Sequence, residues 1–327
     1  MALRRLSLLI LLSTVAALAQ NAAFVIGEKE AGSVGFYDAD GKRLSGVAVG
    51  KHPHEMVLTP DRRTLYVADN GVVWMTETGA GENTVSVVDI AGRKKIGVID
   101  LGEYRRPHGI ALNPRTGQLL VSTEKPSQLL AIDPATHKVL RTYDVKGLAP
   151  HIVLPSPDGL WAFVSATDSG TLSAVELATG NVKVIPCGER PQGEALSPDH
   201  KTIYIADSGE SAISIFDVAR REKIGVIATG GKAPVRLVVT PDGKTLLYAL
   251  QEGRSVGFAD VATRKEVAQI PLSGRPVSMS LSLDGQVAYS SVQEEDKIYV
   301  ISVPQRKVLR IFETPKGTAP DPVVPLR

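Results

Sequence analysis

The sequence has almost no cysteine and few aromatic residues. Its single cysteine, Cys187, excludes an intramolecular disulfide and a C-x-x-C-H attachment motif for c-type haem. Aromatic residues make up only 5% of the chain, whereas 30 glycines and 21 prolines recur along its length. This composition is typical of many short strands joined by tight turns. We interpret Cys187 as a small packing residue rather than a nucleophile.

The chain also lacks an excess of charge of either sign. It has 37 basic and 35 acidic side chains, which give a formal net charge of +2. This balance predicts neither a nucleic-acid-binding surface nor a basic membrane-binding face. The sequence contains no glycine-rich phosphate loop and no G-x-S-x-G nucleophile elbow, so it does not indicate the common nucleotide-binding or hydrolase sites.

The N-terminal apolar run is too short to span a membrane. It extends from Leu6 to Ala19, and a membrane helix needs about 20 apolar residues. Two arginines precede the run, and its last residues fit the A-x-A rule for signal-peptidase cleavage. We therefore predict a signal peptide over residues 1–19 and a mature chain that begins at Gln20. The predicted location is periplasmic or secreted, without membrane insertion after cleavage.

An internal repeat dominates the rest of the chain. Seven prolines, 41 to 54 residues apart, open equivalent segments, and in most segments a second proline follows seven positions later. Each segment continues with short apolar runs separated by turn signals. Four short strands in about 40–45 residues are the pattern of a propeller blade. The opening residues are Pro53, Pro107, Pro150, Pro191, Pro234, Pro276 and Pro320.

The two ends of the repeat region complement each other. We name the strands of each unit A to D from the opening proline onward. Residues 24–50 supply only strands B, C and D, and residues 320–327 supply only strand A. Together they predict a closing blade that leaves no exposed sheet edge. The fold class is therefore all-β, a seven-bladed β-propeller, with residues 20–327 forming a single domain.

The second strand of the first complete unit carries a family resemblance. It reads Leu65-Tyr66-Val67-Ala68-Asp69-Asn70, and the units over residues 24–327 resemble the forty-residue YVTN propeller repeat. The resemblance implies relatives such as surface-layer and periplasmic binding proteins, propellers of quinoprotein pathways and haem-d carriers. More distantly, the chain is similar to lactonase and muconate-cycloisomerase propellers, which are enzymes. Those enzymes imply a set of His, Arg and Glu side chains around the central funnel.

Recurring acidic residues are best explained as turn residues. The acids that end the third strands, such as Asp217 and Asp260, come directly before Ala-Thr-Gly-type turns. A carboxylate at that position caps a tight hairpin, so we do not interpret these acids as metal ligands. The Pro-Asp-Gly segments between strands A and B are likewise turn signals.

One loop between strands B and C is about ten residues longer than its equivalents. The interval from Asp69 to Asp89 is twenty residues, whereas Asp207 and Asp217 are ten residues apart. The extra residues lie in segment 70–84 and include Trp74 and Met75. This apolar pair either packs over the adjoining blade or forms a lid or partner contact at the central funnel.

The residue directly after each opening proline is the strongest functional signal. Three of the six histidines in the chain occupy this one position on consecutive blades. The position begins the innermost strand, so these side chains are expected at the mouth of the channel. Glu55, Glu194 and Arg236 are neighbouring polar candidates. Around the ring the position reads His54, His108, His151, Gln192, Val235, Val277 and Asp321.

Three interpretations of the histidines stay open. Each imidazole could simply bond a nearby carbonyl at a strand opening. The three could instead line a pocket for a small ligand or cofactor. As a third alternative, His54, His108 and His151 could bind a metal ion, if all three nitrogens reach it at about 2.0–2.1 Å.

The sequence favours a non-catalytic extracytoplasmic propeller, expected to be a monomer. It would bind a small molecule, a cofactor or a periplasmic protein partner at the loop-rich channel mouth, and the sequence names no particular cofactor. The alternative is a lactonase- or lyase-like enzyme that uses the channel-mouth histidines, with or without metal assistance. Its candidate catalytic side chains are His108, His151, Arg236 and Glu194. The predicted ligand-binding residues are His54, Glu55, His108, His151, Gln192, Glu194, Arg236 and Trp74.

Overall fold

The computed structural model describes residues 22–327. They form 28 β-strands and two single-turn 3-10 helices, Thr167–Ser169 and Gln293–Glu295. Within this described part, no helix is long and apolar enough to cross a membrane. The predicted signal peptide and the predicted new N-terminus at Gln20 lie outside the described residues.

The strands are short, most of them five to seven residues long. Alternating or fully apolar runs with flanking Gly, Pro and Asp explain why these segments form strands. In chain order they are β1 Phe24–Glu28, β2 Ser33–Tyr37, β3 Arg43–Ala48, β4 Pro53–Leu58, β5 Thr64–Asp69, β6 Thr84–Asp89, β7 Lys94–Asp100, β8 Arg105–Leu112, β9 Leu119–Lys125, β10 Ser127–Asp133, β11 Lys138–Asp144, β12 Pro150–Pro155, β13 Trp161–Ala166, β14 Thr171–Glu176, β15 Val182–Pro186, β16 Pro191–Leu196, β17 Thr202–Asp207, β18 Ala212–Asp217, β19 Glu222–Ala228, β20 Pro234–Val239, β21 Thr245–Leu250, β22 Ser255–Asp260, β23 Lys265–Pro271, β24 Ser280–Leu281, β25 Val287–Val292, β26 Lys297–Ser302, β27 Lys307–Glu313 and β28 Pro320–Pro325.

The strands form seven four-stranded antiparallel sheets, which we number as blades 1 to 7 from β4 onward. Blades 1 to 6 each contain four consecutive strands. Blade 7 combines β28 with β1, β2 and β3, and β28 pairs with β1 from Phe24↔Pro325 to Glu28↔Pro320. The prediction of a seven-bladed propeller closed by N-terminal and C-terminal strands is therefore confirmed.

Apolar side chains fill the spaces between neighbouring blades. Between blades 1 and 2, for example, Tyr66 and Val85 pack in one cluster with Leu119 and Ile132. Cys187 lies in the equivalent cluster between blades 3 and 4 and is 1% exposed. Burial raises the pKa of its thiol to about 12, so the thiolate is scarce at neutral pH. This agrees with the packing interpretation of Cys187.

A β-bulge follows the proline at the start of the inner strand in most blades. In blade 1 the pairing with β5 shifts register between Pro53 and Met56, and blades 2 to 5 show equivalent shifts. The bulge releases from regular pairing the two residues after the proline in blades 1 to 4 and only Val235 in blade 5, and it redirects their side chains. The ring position directly after the proline is therefore an unpaired position in these five blades.

Blade 6 departs from the expected inner strand at Pro276. Its regular strand, β24, has only two residues, and Pro276 makes an isolated bridge to Val292. Between them, the Ser278 hydroxyl accepts a hydrogen bond from the Ser291 backbone N–H at 3.2 Å. A side chain thus takes the place of a carbonyl in the ladder, which explains the shorter strand.

Candidate functional site

All seven residues that follow the opening prolines meet at one cavity. It has a volume of about 430 Å³ and lies at the channel mouth on the face of the B–C loops. Every blade therefore contributes the residue after its opening proline to the cavity wall, as expected for a ring position. The residues are His54, His108, His151, Gln192, Val235, Val277 and Asp321.

The three histidines are packed against each other. Their side chains are nearly inaccessible, with exposures of 4%, 1% and 3% in chain order. The ring centroids of His54 and His108 are 4.5 Å apart, and those of His108 and His151 are 4.1 Å apart. The sequence prediction that the three imidazoles approach each other agrees with this geometry.

A chain of hydrogen bonds runs through two of these imidazoles. The carbonyl of Val72 accepts from His54 Nε2 at 2.9 Å, and His54 Nδ1 lies 3.2 Å from His108 Nε2. His108 Nδ1 in turn lies 3.0 Å from Glu124 Oε1. These three contacts need three hydrogens, but two neutral imidazoles supply only two. The chain therefore holds one more proton than two neutral histidines and a carboxylate.

The directions of the pKa shifts favour the carboxyl group of Glu124 over an imidazole for the third hydrogen. Burial lowers the pKa of all three histidines well below 6.5, and nearby positive charges lower it further. Burial also raises the pKa of Glu124, although Arg106 and Asn70 oppose this by donating hydrogen bonds to it. A protonated Glu124 then donates to His108, His108 donates to His54, and His54 donates to Val72.

This geometry does not favour the metal interpretation. Within residues 22–327, no group of three or more His, Cys, Asp or Glu side chains is arranged to hold a metal ion. Both ring nitrogens of His54 and of His108 already have hydrogen-bond partners. A metal ion on His54, His108 and His151 would have to break this chain.

Arg236 connects the histidines to the opposite part of the ring. Its guanidinium Nη1 lies 3.5 Å from His151 Nδ1, and Nη2 forms a short ion pair with Glu55. Arg236 belongs to blade 5 and Glu55 to blade 1, so the ion pair crosses the central channel. Burial raises the pKa of Glu55 and the negative charge of Asp321 adds to this, while Arg236 opposes it.

Not all of the predicted ligand-binding residues reach the cavity. Gln192, Trp74 and Arg236 line it with the three histidines, whereas Glu55 and Glu194 do not. Glu194 Oε1 accepts a hydrogen bond from the Ser165 backbone N–H at 2.6 Å, and its Oε2 is buried without a partner. Burial raises the pKa of Glu194 to about 8, so its carboxyl is largely protonated at neutral pH.

The long B–C loop of blade 1 forms part of the cavity wall. Arg106 is 1% exposed, and its guanidinium donates hydrogen bonds to the backbone carbonyls of Met75, Glu77 and Gly79. The loop is thereby fixed to blade 2. Trp74 lines the cavity but remains 47% exposed. The two interpretations of this loop are therefore compatible, since it packs on the adjoining blade and also borders the funnel.

The sequence analysis missed several residues at the site, and one signal could have found them. In each blade, one residue of strand B pairs with the opening proline. The next residue along the chain lies at the same mouth. Reading this second ring would have added Lys29 and Gln293 to the cavity wall and Glu124 behind His108. In blade order from blade 1, the ring reads Asn70, Glu124, Thr167, Ser208, Gln251, Gln293 and Lys29.

Comparisons with known proteins support the fold and one family resemblance. A family model described as lactonase, seven-bladed β-propeller, matches residues 192–268, which is less than half of the chain. This segment includes Gln192, Glu194 and Arg236. This segment is therefore similar to the lactonase propellers, while the YVTN character of the repeats remains an interpretation of the sequence. None of the curated proteins matches the chain.

Two solved structures share the fold. Hydrazine synthase from Kuenenia stuttgartiensis is 21% identical, with a TM-score of 0.71, and the match covers 86% of this chain and 96% of that chain. A functionally unknown protein from Desulfotomaculum acetoxidans DSM 771 is 16% identical, with a TM-score of 0.76 over 93% of this chain and 99% of that chain. At these identities the likeness establishes architecture alone.

Proposed function

We propose that this protein is an extracytoplasmic β-propeller that binds a small molecule in the cavity at the channel mouth. The observation that carries the proposal is the convergence of all seven ring residues on one cavity of about 430 Å³. Cavities of roughly 300–1,000 Å³ with apolar walls and a few convergent polar groups are typical of ligand sites. Packing of the inner strands does not need three buried imidazoles and a guanidinium, so these polar groups favour a ligand site.

The cavity wall indicates the general character of the ligand. Val73, Val235 and Val277 offer apolar surface, which suits a compact hydrocarbon body. Arg236 and His151 lie side by side on the wall and suit a carboxylate or carbonyl oxygen. A small carboxylic acid with an apolar ring or chain satisfies both regions.

The test measures binding of cyclohexanecarboxylate by isothermal titration calorimetry. We expect Arg236→Gln to weaken binding at least about tenfold, since a charge-assisted hydrogen bond contributes about 1.5–3 kcal/mol. Arg264→Gln is the matched control, because Arg264 donates to the Ile224 carbonyl far from the mouth. Equal affinity in the wild type and in Arg236→Gln would contradict the assignment of Arg236 to the site.

Lactone hydrolysis is a second candidate function. The family match over residues 192–268 and the 3.5 Å approach of Arg236 Nη1 to His151 Nδ1 favour it. In this reaction, neutral His151 takes a proton from water as the water oxygen bonds to the lactone carbonyl carbon. Arg236 stabilises the resulting oxyanion. The ring C–O bond then breaks, and the leaving oxygen receives the proton from His151.

Hydrolysis of δ-valerolactone, followed by acid release in a pH-stat, tests the second function. His151→Gln should lower kcat at least about a hundredfold with a smaller effect on KM. Because burial lowers the pKa of His151 well below 6.5, the rate should stay constant as the pH falls from 7 through 6. A wild-type protein that binds cyclohexanecarboxylate but hydrolyses no lactone is a binding protein.

Export and the monomeric state belong to the same proposal. Osmotic shock should release the protein, N-terminal sequencing should begin at Gln20, and sedimentation should give the mass of one chain. Retention of Met1 would contradict export.

A further inference from the structure

A second cavity adjoins the one at the channel mouth. It has a volume of about 290 Å³, and it shares Val73, Trp74, Val277 and Gln293 with the first cavity. Cavities that share these wall residues are adjacent compartments, so one bound molecule can extend from the first into the second. The first is called the mouth cavity below and the second the side cavity. Neither candidate function described above uses the side cavity.

The two cavities have walls of opposite charge. Among residues 22–327, and apart from the histidines, the ionisable side chains that line the mouth cavity are three bases and a single acid. Those that line the side cavity are three acids and a single base. A molecule with charges of both signs is complementary to this arrangement. The first set is Lys29, Arg190, Arg236 and Asp321, and the second is Glu30, Glu294, Asp296 and Arg275.

Two cations of the mouth cavity are available to a ligand anion. Arg236 pairs with Glu55, and Arg190 lies 3.4 Å from Asp168, but neither of these carboxylates lines the cavity. A ligand in the mouth cavity therefore meets the two guanidinium groups and not their partners. A guanidinium binds a carboxylate through charge-assisted hydrogen bonds, so the anionic end of the ligand belongs here.

Two carboxylates of the side cavity are likewise available. Glu30 is 47% exposed, and within the described part of the chain its ionic contact is limited to the His52 ring at 3.8 Å. Glu294 is exposed, and its Oε1 accepts a hydrogen bond from the Arg275 backbone N–H at 3.1 Å. The guanidinium of Arg275 lies 3.6 Å from Glu252, which is outside the side cavity. Glu30 and Glu294 therefore keep their charge for a bound cation.

An aromatic ring forms the boundary between the two cavities. Trp74 lines both of them and is 47% exposed, so a ligand can contact its indole. Lys29, whose ammonium lies 6.0 Å from the centroid of this ring, lines the mouth cavity but not the side cavity. An exposed indole next to carboxylates attracts a protonated amine, since the ring face and the carboxylates both carry negative potential.

From these walls we infer that the two cavities together bind an amino carboxylate. Its carboxylate contacts Arg236 in the mouth cavity. Its protonated amine lies in the side cavity, beside the indole of Trp74 and the carboxylates of Glu30 and Glu294. The inference rests on the proposed binding function and adds a second charged group to its ligand. A dicarboxylate suits the pair of cavities less well, because Glu30 and Glu294 repel its second carboxylate.

Two series of linear probes test the inference by isothermal titration calorimetry. One consists of ω-aminoalkanoates with about four to eight carbon atoms, and the other of ω-hydroxyalkanoates of the same lengths, which are neutral at the distal end. The length that binds best reports the separation of the two charged regions. At this length we expect the wild type to bind the amino probe at least about fivefold more tightly, since ion pairs with exposed carboxylates and contact with an indole each contribute a small factor.

The double variant Glu30→Gln, Glu294→Gln should reduce this preference to about twofold or less, because it removes two charges and retains the shape of the side cavity. Both residues are exposed, so the variant should fold as the wild type does. The control is Glu103→Gln, Glu210→Gln. These two acids are also exposed and lie in connections on the mouth face, but they line neither cavity, so the full preference should survive.

The outcomes separate this inference from the binding function. If cyclohexanecarboxylate binds while no amino probe binds more tightly than its hydroxy counterpart, the inference is wrong and the binding function stands. A preference that survives in the Glu30 and Glu294 variant places the amine elsewhere and overturns the inference as well. If neither cyclohexanecarboxylate nor any linear probe binds, the proposed binding function fails and the inference fails with it.

Discussion

The two faces of the disk use their polar residues in opposite ways. On the face of the A–B turns, five blades repeat one contact, a Ser or Thr hydroxyl that donates to the Asp two residues later at 2.6 Å. On the mouth face, the ring position carries histidine on three consecutive blades and Gln, Val, Val and Asp on the other four. The contact that recurs on the turn face forms turns, whereas the uneven set of side chains on the mouth face forms a site. The donors and acceptors are Thr59–Asp61, Ser156–Asp158, Ser197–Asp199, Thr240–Asp242 and Ser282–Asp284.

Turn-face aspartates and two buried acids on the mouth side have pKa values shifted in opposite directions. Hydrogen bonds from hydroxyl and backbone N–H groups lower the pKa of the turn-face aspartates, such as Asp199 and Asp242. Burial raises the pKa of Glu124 and Glu194 on the mouth side. These turn-face aspartates therefore favour the folded state most strongly when ionised, whereas Glu124 and Glu194 favour it most strongly when protonated.

The largest expected difference between the faces concerns two arginines. Arg106→Leu should release the loop over residues 70–84 and lower the free energy of unfolding by about 2–4 kcal/mol, because it leaves loop carbonyls unbonded. Binding of cyclohexanecarboxylate should fall at least about tenfold as the cavity wall loosens. Urea denaturation, limited proteolysis and calorimetry measure these effects.

Arg141 provides a control on the turn face. It also donates to three consecutive turn carbonyls, those of Leu177, Ala178 and Thr179, but it is exposed. Arg141→Leu should leave binding unchanged and cost less than about 1 kcal/mol. Equal loss of binding in both arginine variants would refute the functional division between the faces.

The next largest effect is on the free energy of unfolding, and it tests whether Glu124 is protonated. In Glu124→Gln the amide nitrogen can donate to His108 Nδ1 while the oxygen accepts from Arg106, so we expect stability within about 1 kcal/mol of the wild type. Glu124→Leu leaves Arg106 and His108 without a partner and should cost about 3 kcal/mol. Urea denaturation distinguishes the two. If the glutamine variant is as unstable as the leucine variant, then Glu124 is ionised.

The pH dependence of stability should reveal the raised pKa of Glu194. Its folded pKa of about 8 exceeds the usual 4.5, so the folded state retains a proton that the unfolded state has released. Glu194 should therefore contribute a fall in stability as the pH rises from about 4.5 to about 8, against the rise up to about pH 6.5 that the three buried histidines contribute. Glu194→Gln should remove this contribution, so the variant should gain stability relative to the wild type as the pH rises, on the order of 2 kcal/mol at pH 8. Glu222→Gln, at an exposed site, should retain the contribution of Glu194.

The smallest effect is expected on the turn face. Asp242→Ala removes the acceptor for Thr240 and for the Lys244 backbone N–H. One turn of seven is weakened, so the melting temperature should fall by about 2 °C without any change in ligand affinity. Calorimetric melting and titration with cyclohexanecarboxylate measure both quantities. Altered affinity would show that the turn face influences the mouth.

The sequence was sufficient for the architecture because each blade repeats the same local rules. The opening proline, the alternating apolar runs and the turn acids recur, so seven blades and their closure could be counted. The clustering of His54, His108 and His151 also followed, since equivalent ring positions must meet at one mouth. These predictions needed only periodicity.

The details of the site required information that periodicity does not contain. Glu55 and Glu194 do not line the cavity, because Glu55 is paired with Arg236 and Glu194 accepts a hydrogen bond from the Ser165 backbone N–H of the neighbouring blade. Periodicity does not predict either contact, since a bulge after the proline interrupts the two-residue alternation of the inner strand. The path of loop 70–84 depends on Arg106, which is distant from Trp74 in sequence and lies on another blade. Lys29 lines the cavity from the closing blade, where it follows Glu28, the residue that pairs with Pro320. The ring of residues after the prolines does not include this position.

The ion pair between Glu55 and Arg236 has a mechanical consequence. It links the inner strands of two blades that are not neighbours and so restrains them relative to each other. We therefore expect the pair to obstruct passage along the axis from the cavity to the turn face. Entry and departure of a ligand would then share one opening, and the loop with Trp74, which lines the cavity, would influence the residence time.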